Sequence, residues 1–373
     1  MPEPPAITWT GHESPALAEL GTPFALAQGD GALWMLAAVE PLGQTPIALA
    51  TSSDGVDWER VDLAALGIPE GIIGTANLAG DEDRIAVILE DFSSVILGSG
   101  LPWVLVREQG QWTLTGPDDI TAQHLAPQGG DYAVWSTLGA SWGEDGLRTV
   151  MTTLWQGNPE EQPGSIGFSE LSIGGGAATL TPGDLEYQRQ PPWFRDVTGS
   201  ATDAERIHLL LSTPGAAAED VPALEVASWL NDWTVTTVTA EGMHEGATRM
   251  LAAAVSGSAL VVVGDEVRGT EHVASAVVLR AELGEGGAPA GEWTRIPLPL
   301  AAALTRVVAT DAGFWALSDR YAPSVWFSPD GWGWHRLEQP APRGVTALLG
   351  LPGGLVAAGP GWVHLAGDVA GVG

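Results

Sequence analysis

Cysteine and lysine are both missing from this chain of 373 residues. The lack of cysteine excludes disulfides, thiolate nucleophiles and Cys-ligated zinc, and leaves the compartment open. The lack of lysine means that all 15 basic residues are arginines, set against 46 aspartates and glutamates for a net charge of −31. A surface this acidic repels phosphate backbones and anionic lipid heads, which excludes nucleic acid and membrane surfaces as partners. The carboxylates serve solubility, and they suit a salty or extracellular setting in which counter-ions screen them. Long apolar runs are missing too. The longest candidate, MLAAAVSGSALVVVG (250–264), is broken by Ser-Gly-Ser and reads as strand, turn, strand, so no membrane insertion is expected. The opening MPEPPAITWT has neither a basic region nor an apolar run and is not a signal peptide. The expected setting is that of a bacterial secreted protein, extracellular or in the cell envelope, with the leader outside this sequence; the cytoplasm is the other option. Helical periodicity is weak throughout, and 49 glycines and 27 prolines spread along the chain argue against long helices.

Tryptophan is plentiful, at 17 residues. Five of them open the same kind of segment: Trp58 in WERV, Trp112 in WTLT, Trp233 in WTVT, Trp293 in WTRI and Trp334 in WHRL. Each continues with polar and apolar residues in alternation, the period of a half-exposed strand. The gap between Trp112 and Trp233 is about twice its neighbours, so one copy there has lost its Trp; IGFSELSI (166–173) is the expected replacement. Three apolar segments precede each Trp strand, as in LTRVVAT, GFWALS and SVWFS (304–310, 313–318 and 324–328). Four short antiparallel strands joined by Gly-rich turns make one propeller blade. The last unit ends in GWVHLAG without a Trp strand, while AITWTG near the start is a Trp strand without a unit.

The expected fold is therefore all-β, a seven-bladed β-propeller of four-stranded antiparallel blades, with the N-terminal strand completing the last blade. As a single domain, its blades span roughly 16–62, 72–116, 118–181, 190–238, 246–298, 303–338 and 343–367 plus 6–10, about 50 residues each. Six or eight blades stay open because the third unit is long and poorly patterned.

Two of the Trp strands follow the same turn, Ser-x-Asp-Gly-x-x-Trp. It occurs as Ser52, Asp54, Gly55 and Trp58, and again as Ser328, Asp330, Gly331 and Trp334. Ser and Asp side chains can bind the turn's own amides, Gly takes a conformation other residues resist, and Trp fills the wedge between blades. These segments resemble the Asp-box, or BNR repeat, of the sialidase-like superfamily of propellers. The resemblance implies the architecture and gives the boxes a structural role at the blade periphery; it implies little about function. A sialidase would also carry an arginine triad, with one member in an early Phe/Tyr-Arg-Ile-Pro motif, and a Tyr–Glu pair. PFALAQGDGALWMLAAV (23–39) contains no arginine, TRIP (294–297) sits on a Trp strand, and only three tyrosines exist. No catalytic residue is carried over.

Candidate ligand-binding residues come from polar segments between strands. SDRYAP groups Asp319, Arg320 and Tyr321: charge pairing beside a ring that could stack on a ligand. GDEVRGTEHV (264–273) holds Glu271 and His272 after Asp265 and Glu266, and reads otherwise as a solvated loop. STLGASWGEDG places Trp142 beside two acids, suited either to a sugar ring or to the wedge between blades. YQRQPPWFRDV contributes Trp193 and Arg195. Asp319, Trp142 and Glu271 are all expected on connections between the second and third strands of their blades. The seven histidines share no ligand-like spacing, so no metal site is expected; GDEDR (80–84) and GEDG (143–146) could hold Ca²⁺ but lack an EF-hand pattern. With no P-loop or nucleophile elbow present, no cofactor is expected. Two functions follow: a non-catalytic binding or scaffold module for a protein or carbohydrate partner, and, as the alternative, a glycan-active hydrolase with an atypical site, which would need two carboxylates about 5–9 Å apart.

Overall fold

The computed structural model describes residues 5–38, 46–70, 75–90, 101–122, 131–156, 165–187, 196–203, 206–213, 223–230, 233–243, 248–268, 273–300, 302–318, 323–367 and 369. The chain opens with strand β1 (Trp9–Glu13) and a six-residue helix α1 (Pro15–Leu20). Ser14 caps that helix by accepting from the Leu17 amide at 3.2 Å, with Pro15 in the first turn, where its missing N–H costs nothing.

Blade one follows as β2 (Thr22–Gly29), β3 (Ala32–Ala38), β4 (Ile47–Ser52) and β5 (Glu59–Val61). Blade two is β6 (Ala76–Gly80), β7 (Arg84–Leu89), β8 (Trp103–Glu108) and β9 (Gln111–Thr115). A short strand β10 (Ile120–Ala122) precedes blade three, which is β11 (Asp131–Gly143), β12 (Gly146–Gln156), β13 (Ser165–Gly174) and β14 (Ala177–Tyr187). Blade four is β15 (Asp196–Thr202), β16 (Ile207–Thr213), β17 (Ala223–Trp229) and β18 (Trp233–Thr237). Blade five is β19 (Thr248–Ser256), β20 (Ala259–Arg268), β21 (Val273–Leu283) and β22 (Pro289–Pro297). Blade six is β23 (Arg306–Thr310), β24 (Gly313–Ser318), β25 (Ser324–Ser328) and β26 (His335–Arg336). The last sheet contains β27 (Ala347–Leu351), β28 (Gly354–Gly359) and β29 (Trp362–Gly367), and its strand order is β1-β29-β28-β27. The fold is thus all-β, with seven blades of four antiparallel strands, a seven-bladed β-propeller, and the Trp9 strand takes the fourth place in the last blade as the sequence implied.

Blade three departs from the expected pattern. Segment 166–173 lies in β13, the third strand, and the fourth strand is β14. The reading failed because β14 carries no Trp and because its hairpin is made by Gly175 and Gly176, both at positive φ, instead of a Ser-x-Asp-Gly turn. This sheet also gains β10, parallel to β14, as a fifth strand.

By internal contacts the chain divides into two compact units. One is Gly11–Gln190 with Ala358–Val363 and Ala370–Gly373, and it holds blades one to three. The other is Met1–Thr10, Pro191–Ala357 and His364–Val369, and it holds blades four to six and most of the last. Within each unit consecutive blades pack through their first strands: β2 on β6 and β6 on β11 in the first, β15 on β19, β19 on β23 and β23 on β27 in the second. Second strands are covered on both faces, which is why they read as unbroken apolar runs such as RIAVIL and GFWALS. The exposed fourth strand WTVTT alternates instead. Blades one and two, two and three, four and five, and five and six each seal a core between them; Trp34, Leu36, Leu49, Ile85, Val87 and Leu105 fill the space between blades one and two. Burying each such side chain contributes about 1.5–3 kcal/mol. A Cβ on Gly80 would overlap the carbonyl oxygen of Gln28, so the ends of β2 and β6 can approach only with glycine there.

Candidate functional site

Each blade has two ends. One carries the turns from first to second and from third to fourth strand; the other carries the second-to-third connection. Both Ser-x-Asp-Gly boxes lie at the first end. The Ser52 hydroxyl accepts from the Gly55 amide at 2.8 Å and donates to Asp54 Oδ1, which accepts from the amides of Val56 and Asp57 at 2.8 and 2.9 Å. Trp58 Nε1 returns to the Gly55 carbonyl at 3.0 Å. The second box repeats this: Ser328 accepts from Gly331 at 2.9 Å, Asp330 from Trp332 at 2.9 Å, and Trp334 donates to Gly331 at 3.0 Å. Gly55 and Gly331 sit at φ 77° and 80°. The Asp57 and Val56 amides hold the Asp54 carboxyl below the usual range. Burial pushes the Asp330 carboxyl up, but the amides of Trp332 and Gly333 with the Ser328 hydroxyl outweigh it, and it too lies low. The side-chain oxygens of Ser and Asp serve the turn itself in both boxes, and the Asp330 carbonyl also accepts from Arg280 Nε of blade five at 2.9 Å.

Trp142 also belongs to this end, not to a second-to-third connection. It lies near the end of the first strand β11, just before the Glu144–Asp145 turn into β12. It is 8% exposed, donates from Nε1 to the Ala79 carbonyl at 2.9 Å and lies under the Arg84 guanidinium, 4.2 Å from its ring centroid. This is the wedge arrangement, between blades two and three. Arg84 in turn binds Asp81 across the GDEDR turn, at 3.0 Å from Nε and 2.5 Å from Nη2. Among the described residues no three His, Asp or Glu side chains converge as a metal site would require.

The other expected ligand residues, Asp319, Arg320, Tyr321, Glu271, His272, Trp193 and Arg195, lie outside the described residues. Their neighbours in sequence do not. Position 319 follows β24 and position 271 follows β20, so both segments join second to third strands, as expected. Asp265 and Glu266, however, are not in a solvated loop: they lie on β20, 0% and 1% exposed. Arg249 of β19 binds Asp265 through Nε at 2.8 Å and through Nη2, while the Arg249 side chain stays 61% exposed. Arg295 of β22 grips Glu266 with two bonds of 2.6 Å, and its side chain is only 11% exposed. These hydrogen bonds to Asp265 and Glu266 push both guanidiniums up from their ordinary value and keep them charged. The Arg295–Glu266 pair, covered on both sides, holds its geometry because losing either partner strands the other.

Glu90 occupies the corresponding end of blade two, directly after β7, and is 2% exposed. Its carboxylate accepts from the Thr75 hydroxyl and the Thr137 amide, and its own amide donates to the Thr75 carbonyl at 2.9 Å. Thr137 lies between two register shifts of β11 against β12, and that irregularity frees its amide. Burial pushes the Glu90 carboxyl up, against the pull of the Thr137 and Thr75 hydrogen bonds. Sequence reasoning passed over Glu90 and read Asp265 and Glu266 as part of a polar loop segment instead of a buried strand. The available signal was an acid closing an apolar second strand, in AVILE and LVVVGDE.

No family model matches the chain, and no curated protein matches it. Solved structures match in fold. Pyrococcus horikoshii acylaminoacyl peptidase superposes with TM-score 0.52 at 6% identity, covering 92% of this chain and 50% of the peptidase, so this chain spans half of that protein. The β-propeller domain of the Trilobed protease from Pyrococcus furiosus gives TM-score 0.47 at 7% identity, with 94% and 89% covered. The α-L-arabinofuranosidase Arb93A of Fusarium graminearum gives 0.44 at 12% identity, with 96% and 95% covered. Among the described residues no helix is long and apolar enough to cross a membrane.

Proposed function

We propose that this chain is a binding module, a β-propeller of the Asp-box kind that recognises a protein or carbohydrate partner without transforming it. One observation carries the reading: the buried carboxylates at the second-to-third ends of their blades are already committed to internal partners. Asp265 and Glu266 are gripped by arginines and Glu90 by Thr75 and Thr137. A hydrolase needs a carboxyl that meets substrate. What this arrangement offers instead is the half-exposed Arg249, held in one orientation by Asp265 and ready to meet an anionic or hydrogen-bond-accepting group. The acid excess supports a setting outside the cytoplasm. Two assays test the reading together: an arylglycoside panel for turnover, and immobilised glycans and proteins for capture. Capture without turnover, lost in Arg249→Gln, is the expected result; steady hydrolysis of any arylglycoside overturns the proposal.

A second reading, a glycan-active hydrolase, rests on Glu90, a buried carboxyl with raised proton affinity of the kind that serves as a general acid. It expects turnover that Glu90→Gln abolishes.

A further inference from the structure

The two box-bearing blades share a second feature at the end opposite the box. A cleft of about 350 Å³ opens beside blade one and one of about 330 Å³ beside blade six. Arg60, Val61 and Asp62 line the first; Arg336, Leu337 and Glu338 line the second. These triplets are separated by 276 residues, the same interval that separates Ser52 from Ser328. The repeat thus carries an arginine two residues after its Trp, an acid two residues further on, and a hollow beside them.

Blade five has the same arginine, Arg295, two residues after Trp293. There β20 and β21 run longer than their counterparts in blades one and six, and bring Glu266 onto the guanidinium with two 2.6 Å bonds. That blade supplies a carboxylate to its own arginine. In blades one and six no described carboxylate forms an ion pair with Arg60 or Arg336, which face clefts also lined by Asp62 and Glu70 in the first and by Glu338 in the second.

We infer that the two clefts are equivalent sockets for a peptide carrying a carboxylate side chain, one per box-bearing blade. The guanidinium fork takes the carboxylate, as Arg295 takes Glu266. Asp62 Oδ2, whose partner oxygen Oδ1 already accepts from the Ala65 amide at 3.1 Å, or Glu338 accepts an N–H from the peptide backbone. Ile47 in the first cleft and Pro323 in the second, at matching positions, give an apolar wall for the neighbouring side chain. Among the described residues neither lining contains an aromatic ring on which a sugar could stack, which favours a peptide over a sugar acid.

The inference rests on the binding-module reading and is tested separately from it. Isothermal titration of the full chain with N-acetyl-Leu-Glu-Leu-amide is expected to saturate at two equivalents, and the Gln twin to bind at least tenfold more weakly. Arg60→Gln and Arg336→Gln are each expected to leave one equivalent, and the double variant none, with melting temperatures unchanged because both arginines are exposed. Undiminished stoichiometry in the double variant overturns the inference, as does the lack of saturation with the peptide, or glucuronic acid filling the same two sites in its place. Peptide failure with capture of another partner intact removes the sockets and leaves the binding module standing; arylglycoside turnover with two-site peptide binding does the reverse.

Discussion

Asp54 makes its contribution through position. Its Oδ1 gathers two amides and the Ser52 hydroxyl in a turn that is itself at the surface. Asp54→Ala is expected to cost about 1 kcal/mol and to lower the melting temperature by a few degrees, with capture of any partner unchanged; calorimetry beside a binding assay checks both. His208 is the opposite case. It is fully buried on β16, its Nδ1 is 2.8 Å from the Ser228 hydroxyl, and Nε2 has no hydrogen-bond partner among the described residues. Burial lowers its pKa from 6.5 to about 4, with Asp203 opposing that shift and Arg206 adding to it. The unfolded chain therefore binds a proton that the folded chain refuses between these two values. The stability of the neutral form is complete above about pH 6.5 and falls as pH drops, by about 2 kcal/mol at pH 5. Denaturant midpoints between pH 7 and 5 are expected to fall for the wild type, and to fall less steeply for His208→Gln. Parallel slopes for the two proteins would contradict the assignment.

At the scale of elements, legibility followed chemistry. Blades one and six could be read because Ser-x-Asp-Gly and the Trp after it each do one local job, and a local job leaves a local pattern. Blade three could not, because β14 has exchanged that turn for Gly175–Gly176 and its Trp for none, so nothing in the sequence marks it as fourth. Trp142 was ambiguous for a related reason. An indole beside two acids looks the same in sequence whether it faces solvent or lies under Arg84, and only the end of β11 decides. Glu90 and Glu266 were hidden because their partners, Thr137 and Arg295, lie 47 and 29 residues away and reach them through strand pairing and bulges. The N-terminal strand was legible by subtraction, a Trp strand lacking a unit beside a unit lacking one. Deleting Met1–Thr10 removes Trp9 and leaves β29 an open edge. The melting temperature is expected to fall by several degrees, at about 2–4 °C per kcal/mol, and the truncated chain to aggregate more readily in light scattering. An unchanged melting temperature would mean that β1 adds nothing to its sheet.

At the scale of the whole molecule, charge dominates. A net −31 with no lysine leaves the arginines as the only permanent cations. Many of them are engaged within the fold: Arg84 with Asp81, Arg206 with Asp203, Arg249 with Asp265, Arg280 with Glu282 and Arg295 with Glu266. The remaining carboxylates repel one another across the surface, and salt shortens the reach of that repulsion from about 30 Å at 0.01 M to about 10 Å at 0.1 M. Melting temperature is therefore expected to rise as sodium chloride goes from 10 to 500 mM; a fall would mean that the ion pairs outweigh the repulsion.

The pairing of β1 with β29 also governs when the protein can be finished. Its two strands lie about 350 residues apart in sequence, Trp9–Glu13 against Trp362–Gly367. A ribosome adding about 5–20 residues per second leaves β1 without its partner for some tens of seconds. Blades one to six need only neighbouring chain and can assemble as they emerge, while the seventh waits for its last strand. In that interval β1 has an unpaired backbone and an unburied Trp9, and a strand made ahead of blade one is among the last to find its place.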